Sequence, residues 1–189
     1  MKYLIIFAHP FAQSLNGHLK EAVCKHLSDN QHEVIVRNLY QLDFNPILSS
    51  KEIEGQRMGK VGEDVSTEQE YILWAEILIL IHPIWWTGLP AILKGYIERV
   101  FSYGFAYQYD QGIQQGLLAG KQAIIINTQG KSGKEYQDSG MDKALSLTSD
   151  QGIYTYSGMT VKHHFFFEKA DRANPEVIGQ WIKEITSIL

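Results

Sequence analysis

The 189-residue chain holds one cysteine and five prolines, and no apolar run long enough to cross a bilayer. A lone Cys24 cannot close an internal disulfide, so packing must hold the fold, and a reducing cytoplasm is the expected compartment. Met1-Lys2 leads straight into a short apolar run with no small-residue cleavage site, so no secretory signal is read. Net charge is small too: 17 Lys+Arg against 21 Asp+Glu leaves −4, no electrostatic basis for binding nucleic acid or an anionic membrane. No repeat, low-complexity segment or interdomain linker appears, and no GxGxxG follows the first apolar run, which argues against an ordinary dinucleotide fingerprint. What remains is ordinary globular composition, 44% hydrophobic and 20% charged, in a length that suits one domain over residues 1–189.

Strands and helices alternate along it. Tyr3–Ala8 is a continuous apolar run, as a parallel strand covered on both faces requires. Leu15, Leu19, Ala22, Val23 and Leu27 follow at helical spacing. Val34–Val36 forms a second strand ending before Asn38, and the stretch from Trp74 to Ile84 contains a third. Pro90–Phe101 is the next helix, Gln122–Asn127 the fourth strand and Met159–Phe167 the fifth. Asn174-Pro175 opens a last helix carrying Ile178, Trp181, Ile182 and Ile185 on one face. Five strands separated by helices imply an α/β doubly wound parallel sheet. Two stretches break the rhythm: Phe44–Thr67 reads as a long surface excursion, and Gly104–Gly120 as a loop rich in Gly, Gln and Tyr, long enough to suggest a function.

The most informative segment runs from Ile79 to Gly95. An apolar strand ends at Pro83, exposes Trp85 and Trp86, and restarts as a helix at Pro90. Open α/β sheets bind ligands at the carboxyl ends of their strands. A flat apolar wall beside free backbone groups suits a planar ring, and flavin is the leading candidate. The turn after the first strand, Ala8 to Asn16, enters a helix whose free N–H groups make an anion site; His9, Ser14 and Asn16 add side chains suited to a phosphate, as of a flavin mononucleotide. The exit from the fourth strand, Asn127 to Gly133, should lie on the same edge, where Thr128 and the backbone of Gln129 and Gly130 meet the polar rim of the ring. Tyr136, a few residues on, is placed to hydrogen-bond the reduced ring.

Together, Ala8-His9-Pro10, Ser14-Leu15-Asn16, His82–Trp86, Leu89–Phe101 and Gly104–Asp110 resemble the NAD(P)H:quinone oxidoreductase family. That family includes the DT-diaphorases, bacterial quinone reductases and ancillary flavoproteins of glutathione-gated potassium efflux. The resemblance covers nearly the whole chain, with Asp43-Phe44-Asn45-Pro46 fitting too. It implies a flavodoxin-like fold with sheet order 2-1-3-4-5. It also implies a cytoplasmic homodimeric NAD(P)H dehydrogenase (quinone), using FMN or, less readily, FAD. NADPH or NADH would give a hydride and a quinone would take the electron pair in a ping-pong cycle.

Position by position, the resemblance puts His9, Ser14, Leu15 and Asn16 around the flavin phosphate. Pro83, Ile84, Trp85 and Trp86 cradle the ring, with Thr128, Gln129 and Gly130 on its other side. Tyr107 and Tyr109 lean over the partner subunit's flavin where nicotinamide and quinone stack, and Tyr136 stabilises reduced flavin. Because the reduced ring is anionic and needs nearby donors, backbone N–H groups around Trp85 to Thr87 are candidates beside the Tyr136 hydroxyl. There are departures. The diaphorases place a histidine shortly after that tyrosine, where this chain has Gly140-Met141-Asp142; their paired glycines read Gln129-Gly130, and Thr87 replaces an aromatic. A tyrosine–histidine relay is therefore left open, though hydride transfer does not require one. Adjacent His163 and His164 point to opposite faces of a strand and have no acidic or thiolate neighbour in view, so no metal site is expected. A one-electron flavodoxin-type carrier and a regulatory subunit of a potassium-efflux transporter remain as alternative roles.

Overall fold

The computed structural model describes all 189 residues. Five parallel strands, β1 (Lys2–Phe7), β2 (Glu33–Asn38), β3 (Ile77–Pro83), β6 (Gln122–Thr128) and β7 (Thr160–Phe167), form one sheet in the order β2-β1-β3-β6-β7. This is the expected 2-1-3-4-5 arrangement, because β4 (Tyr107–Asp110) and β5 (Ile113–Gly116) form a separate antiparallel hairpin. β3 is buried at every position, which explains why its sequence shows no polar alternation. β2 runs through Asn38, two residues past its apolar part.

Helices cover both faces. Tyr3, Ile5, Phe7, Ile79, Ile81, Ile124 and Ile126 pack against α1 (Leu15–Asp29) and α7 (Pro175–Thr186), through Leu19, Val23, Leu27, Trp181 and Ile185. The opposite face, with Leu4, Ile6, Leu78, Leu80, Ala123 and Ile125, packs against α3 (Glu63–Trp74) and α4 (Ala91–Val100). Each fully buried Leu or Ile contributes about 1.5–3 kcal/mol. No helix is long and apolar enough to cross a membrane.

The Phe44–Thr67 excursion needs correction, because it contains α2 (Ser50–Arg57) and the start of α3. A capping box between Ser49 and Glu52 starts α2. Arg99 of α4 then ties the segment down, donating from Nε to Glu52 Oε1 at 2.7 Å and from Nη1 to the Asn45 carbonyl at 2.8 Å. Close approach completes the seam: a Cβ on Gly95 would sit 2.1 Å from the Pro46 carbonyl oxygen. The Gly104–Gly120 loop is likewise ordered, as the β4–β5 hairpin. Between β6 and β7 lie α5 (Gly133–Ser139), α6 (Met141–Ser146) and a nine-residue π-helical segment, Leu147–Thr155, a rare conformation that recurs at functional sites.

Candidate functional site

Three loops meet at the carboxyl edge of the sheet, each tied to the other two. The β1–α1 loop is compact because Gly17 lets the helix approach the Ala12 carbonyl, to which an added Cβ would come within 1.8 Å. Ser14 caps α1, its Oγ accepting from the Gly17 N–H at 3.2 Å. The N–H groups of Leu15 and Asn16 meet no acceptor in the protein, leaving the positive end of the helix open. The His9 ring lies 5.7 Å from the Trp85 ring, joining the first loop to the second; partial burial lowers its pKa, against the pull of the Phe11 carbonyl.

The β3–α4 loop contains a two-residue turn. Trp85 and Gly88 exchange backbone hydrogen bonds, both 3.1 Å, around Trp86 and Thr87 at φ 50° and 57°. Left-handed backbone at both central positions normally selects Asn-Gly, and a β-branched Thr there is strained. The turn holds Trp86 fully exposed and leaves the N–H groups of Trp86 and Thr87 without an acceptor. The Trp85 N–H, counted with them in the sequence reading, is instead used by Gly88. Pro83 is buried at the turn's base, and the Ile84 N–H donates to the Thr128 carbonyl at 2.8 Å, joining the second loop to the third.

In the β6–α5 loop, Thr128 Oγ1 donates to Asn16 Oδ1 at 2.9 Å, closing the triangle. Gln129 is buried with its Oε1 unpaired, while the exposed Gly130 has a free N–H. Ser132 and Glu135 form a capping box that starts α5, and the bond from Lys131 with those from Ser132 pushes the Glu135 carboxyl down to about 2. Half-buried Tyr136 follows on that helix. With Gln129, Asp142, Leu147 and Phe166 it lines a cleft of about 670 Å³, beside the third loop.

Tyr107 and Tyr109 are not part of this convergence. They line a separate cleft of about 800 Å³ with Ile97, Phe101 and Tyr156, which contains no residue of the three loops. Tyr109 and Tyr156 share a hydroxyl–hydroxyl hydrogen bond of 2.9 Å, which pushes the Tyr156 pKa up to about 12.

The chain matches a family described by its flavodoxin-like fold over residues 1–188. It belongs to that family. It is 37% identical over 188 residues to a Haemophilus influenzae protein named an uncharacterized NAD(P)H oxidoreductase, covering 95% of this chain and 93% of that one. Rat NAD(P)H dehydrogenase [quinone] 1 is 31% identical over 209 residues, covering 98% of this chain and 76% of the rat protein. Among solved structures, the NAD(P)H:quinone oxidoreductase of Methanothermobacter marburgensis superposes with a TM-score of 0.84 at 25% identity, covering 99% of this chain and 96% of that one. The resemblance read from the sequence motifs is thus met over the length of this flavodoxin-like chain.

One polar group escaped the sequence reading. His82, Asn127 and His164 stand on neighbouring strands β3, β6 and β7 and are hydrogen-bonded in a row, with Asp150 of the π-helical segment 2.7 Å from His164. The premise that the histidine pair lacks an acidic neighbour is therefore wrong for His164. Asp150 is fourteen residues earlier in sequence, brought back only by the fold. The available signal was a polar residue at the end of each apolar run: His82 after Ile77–Ile81, and Asn127 after Ala123–Ile126.

Proposed function

We propose that this chain is a flavin-dependent NAD(P)H:quinone oxidoreductase, a single domain over residues 1–189 that binds FMN and works as a homodimer. The observation that carries the reading is the set of unspent hydrogen-bonding groups on the three loops. Asn16 Nδ2 is buried without a partner beside the free Leu15 and Asn16 N–H groups, and Gln129 Oε1 is buried without a partner in the third loop. Leaving such atoms unpaired costs about 1–3 kcal/mol each, so their presence calls for a ligand that satisfies them. Their arrangement suits FMN: donors at a helix N-terminus for a phosphate, an apolar tryptophan turn for a ring face, and mixed donors and acceptors for a ring edge.

Bound FMN would supply two-electron redox chemistry between NAD(P)H and a quinone. The chain's own part is position and electrostatics. Leu15 and Asn16 direct N–H groups at the phosphate, aided by the Ser14 hydroxyl and His9. Pro83 and Ile84 set the base of the turn from which Trp85 and Trp86 hold the ring. The free N–H groups of Trp86, Thr87 and Gly130, with the Tyr136 hydroxyl, are the donors for negative charge gained on reduction. Thr128 fixes the Asn16 amide. Tyr107 and Tyr109, which line a different cleft from their own three loops, are assigned to the partner subunit's site, where a two-fold interface would place both pairs.

FMN is favoured over FAD because the chain is shorter than the diaphorases it resembles, 98% of it covering 76% of the rat protein. Heating the purified protein and chromatographing what is released tests the reading: FMN, together with steady-state NAD(P)H oxidation by a quinone, is the expected result. Protein that is colourless and cannot be reconstituted with FMN or FAD overturns it. Bound flavin without turnover would point to an electron carrier, and co-purification with a membrane transporter to a regulatory subunit.

A further inference from the structure

The orientation of the Asn127 amide in the row under the tryptophan turn is fixed by its partners. Asn127 Nδ2 lies 3.2 Å from the His82 carbonyl, which can only accept, so the amide nitrogen must face His82 and the amide oxygen His164. His164 Nε2 therefore carries a hydrogen and donates to Asn127 Oδ1 at 2.7 Å. The Pro83 carbonyl, 3.0 Å from His82 Nδ1, can only accept, so that nitrogen carries the ring hydrogen, while Asn127 Nδ2 rests against the ring, 3.0 Å from Nε2 and 3.3 Å from Nδ1. At the far end His164 Nδ1 and Asp150 Oδ1 are 2.7 Å apart. The contacts thus run without a gap from Asp150 to the carbonyl at the base of the turn.

His82 and Asn127 are 1% and 3% exposed, and the His164 side chain 6%. An apolar cluster of the same shape would be as stable or more so, and a half-made polar one much less. The row continues the apolar columns Leu78–Leu80 and Ala123–Ile125, where Leu or Ile would simply extend the core. It also borders a cavity of about 300 Å³ shared with Ile84, Thr87 and Gly88 of the turn and with Ser149 and Ile153 of the π-helical segment. The helical irregularity and the polar row thus face the one strained turn of the site.

We propose that His164, oriented by Asp150, is a positioning residue for the β3–α4 turn. Acting through Asn127 and His82, it fixes the Pro83 carbonyl. It thereby sets the direction in which Trp86 and Thr87 present their free N–H groups. This rests on the flavin reading above. Two residues at left-handed φ have no intrinsic preference holding them there, so the base of the turn must be over-determined from outside. The Ile84–Thr128 bond fixes one side and the polar row the other.

The test compares His164→Leu with His164→Gln, whose amide can still donate to Asn127 Oδ1. FMN affinity of the apoprotein is read by quenching of flavin fluorescence, and fold stability by urea unfolding without FMN. His164→Leu should weaken FMN binding about 10-fold or more, and His164→Gln by less than about 3-fold. Equal weakening in both variants, tracking lost stability, would mean a structural role only and overturn the proposal; so would unchanged affinity in His164→Leu. Histidine ring ¹⁵N spectra of the flavin-free protein give a reading that needs no cofactor. His82 should be the Nδ1–H tautomer, with a signal that broadens or shifts in His164→Leu. An Nε2–H tautomer in wild type overturns the row whatever the affinities. Wild-type protein that binds no FMN, with the expected ring spectra, sinks the flavin reading while leaving the row intact.

Discussion

Thr128 Oγ1 donates to Asn16 Oδ1 across 2.9 Å, so the loop after β6 decides which way the amide in the loop after β1 faces. With Oδ1 engaged, Asn16 Nδ2 is left buried and unpaired, its donors aimed by a residue 112 positions away. A site assembled in this way is sensitive to the aiming residue as well as to the aimed one.

Asn16→Ala should weaken FMN binding about 10- to 100-fold, or about 1.4–2.7 kcal/mol. The flavin-free protein should lose only about 1 kcal/mol, because the substitution removes an unsatisfied buried donor along with the acceptor of the Thr128 hydroxyl. Thr128→Val should cost about 10-fold in affinity by freeing the amide to turn. Fluorescence titration and urea unfolding measure the two quantities separately. A parallel loss of both in Asn16→Ala would mean that the amide is structural.

Tyr136→Phe should slow flavin reduction by NAD(P)H about 10-fold, or about 1.4 kcal/mol, with FMN affinity nearly intact. The loss is modest because the Trp86, Thr87 and Gly130 N–H groups remain for the same charge. Stopped-flow measurement of the reductive half-reaction decides it. An unchanged rate would leave Tyr136 as a wall of the cleft that it shares with Gln129 and Asp142.

The five sheet strands are legible because each central one is a continuous apolar run, a pattern that needs no partner to be read. The three site loops follow, since they are the segments leaving the carboxyl ends of β1, β3 and β6. The helix at residues 50–57 is illegible for a physical reason: it has no buried residue, and its anchor, Arg99, lies some forty residues away. The Ser49–Glu52 capping box was the local signal that could have found it. The polar row is illegible for a different reason. His82, Asn127 and His164 come from three strands, and only the register that sets His82 opposite Asn127 makes them neighbours. The Leu147–Thr155 segment, with its β-branched residues and glycine, has no helical periodicity to betray it.

Glu68 of α3 accepts from Arg37 of β2 at 3.0 Å and from the Tyr96 hydroxyl of α4 at 3.2 Å, with its own side chain 4% exposed. These three residues join three elements away from the candidate site. Burial pushes the Tyr96 pKa up, with Glu68 adding to it, while Glu68 raises that of Arg37 against the effect of burial. Glu68→Ala strands a largely buried guanidinium and a buried hydroxyl, and should cost about 3–5 kcal/mol in urea unfolding. FMN affinity measured on the folded fraction should not change. A loss below about 1 kcal/mol would mean that water replaces the carboxylate.

His82 gives the chain a stability that depends on pH with a defined sign. Burial pushes its pKa from the ordinary 6.5 down to about 4; the Pro83 carbonyl opposes this, and the charge on His164 adds to it. Between those two values the unfolded chain takes up a proton that the native ring refuses, so stability falls as pH drops through this window. Above about 6.5 both states carry a neutral ring and the contribution is flat. Going from pH 7.5 to pH 5 should remove about 2 kcal/mol. Glu52, whose pKa is lowered by Ser49 and Arg99 despite burial, loses its contribution only as pH falls below the ordinary carboxylate value of 4.5, outside this range. His82→Gln keeps a side-chain amide at the position but cannot titrate. Whatever its absolute stability, its unfolding free energy should lose that share of the slope between pH 7.5 and 5. Identical slopes in the two proteins would mean that the native ring takes up its proton as readily as the unfolded one, and that the hydrogen-bonded row rearranges to accept it.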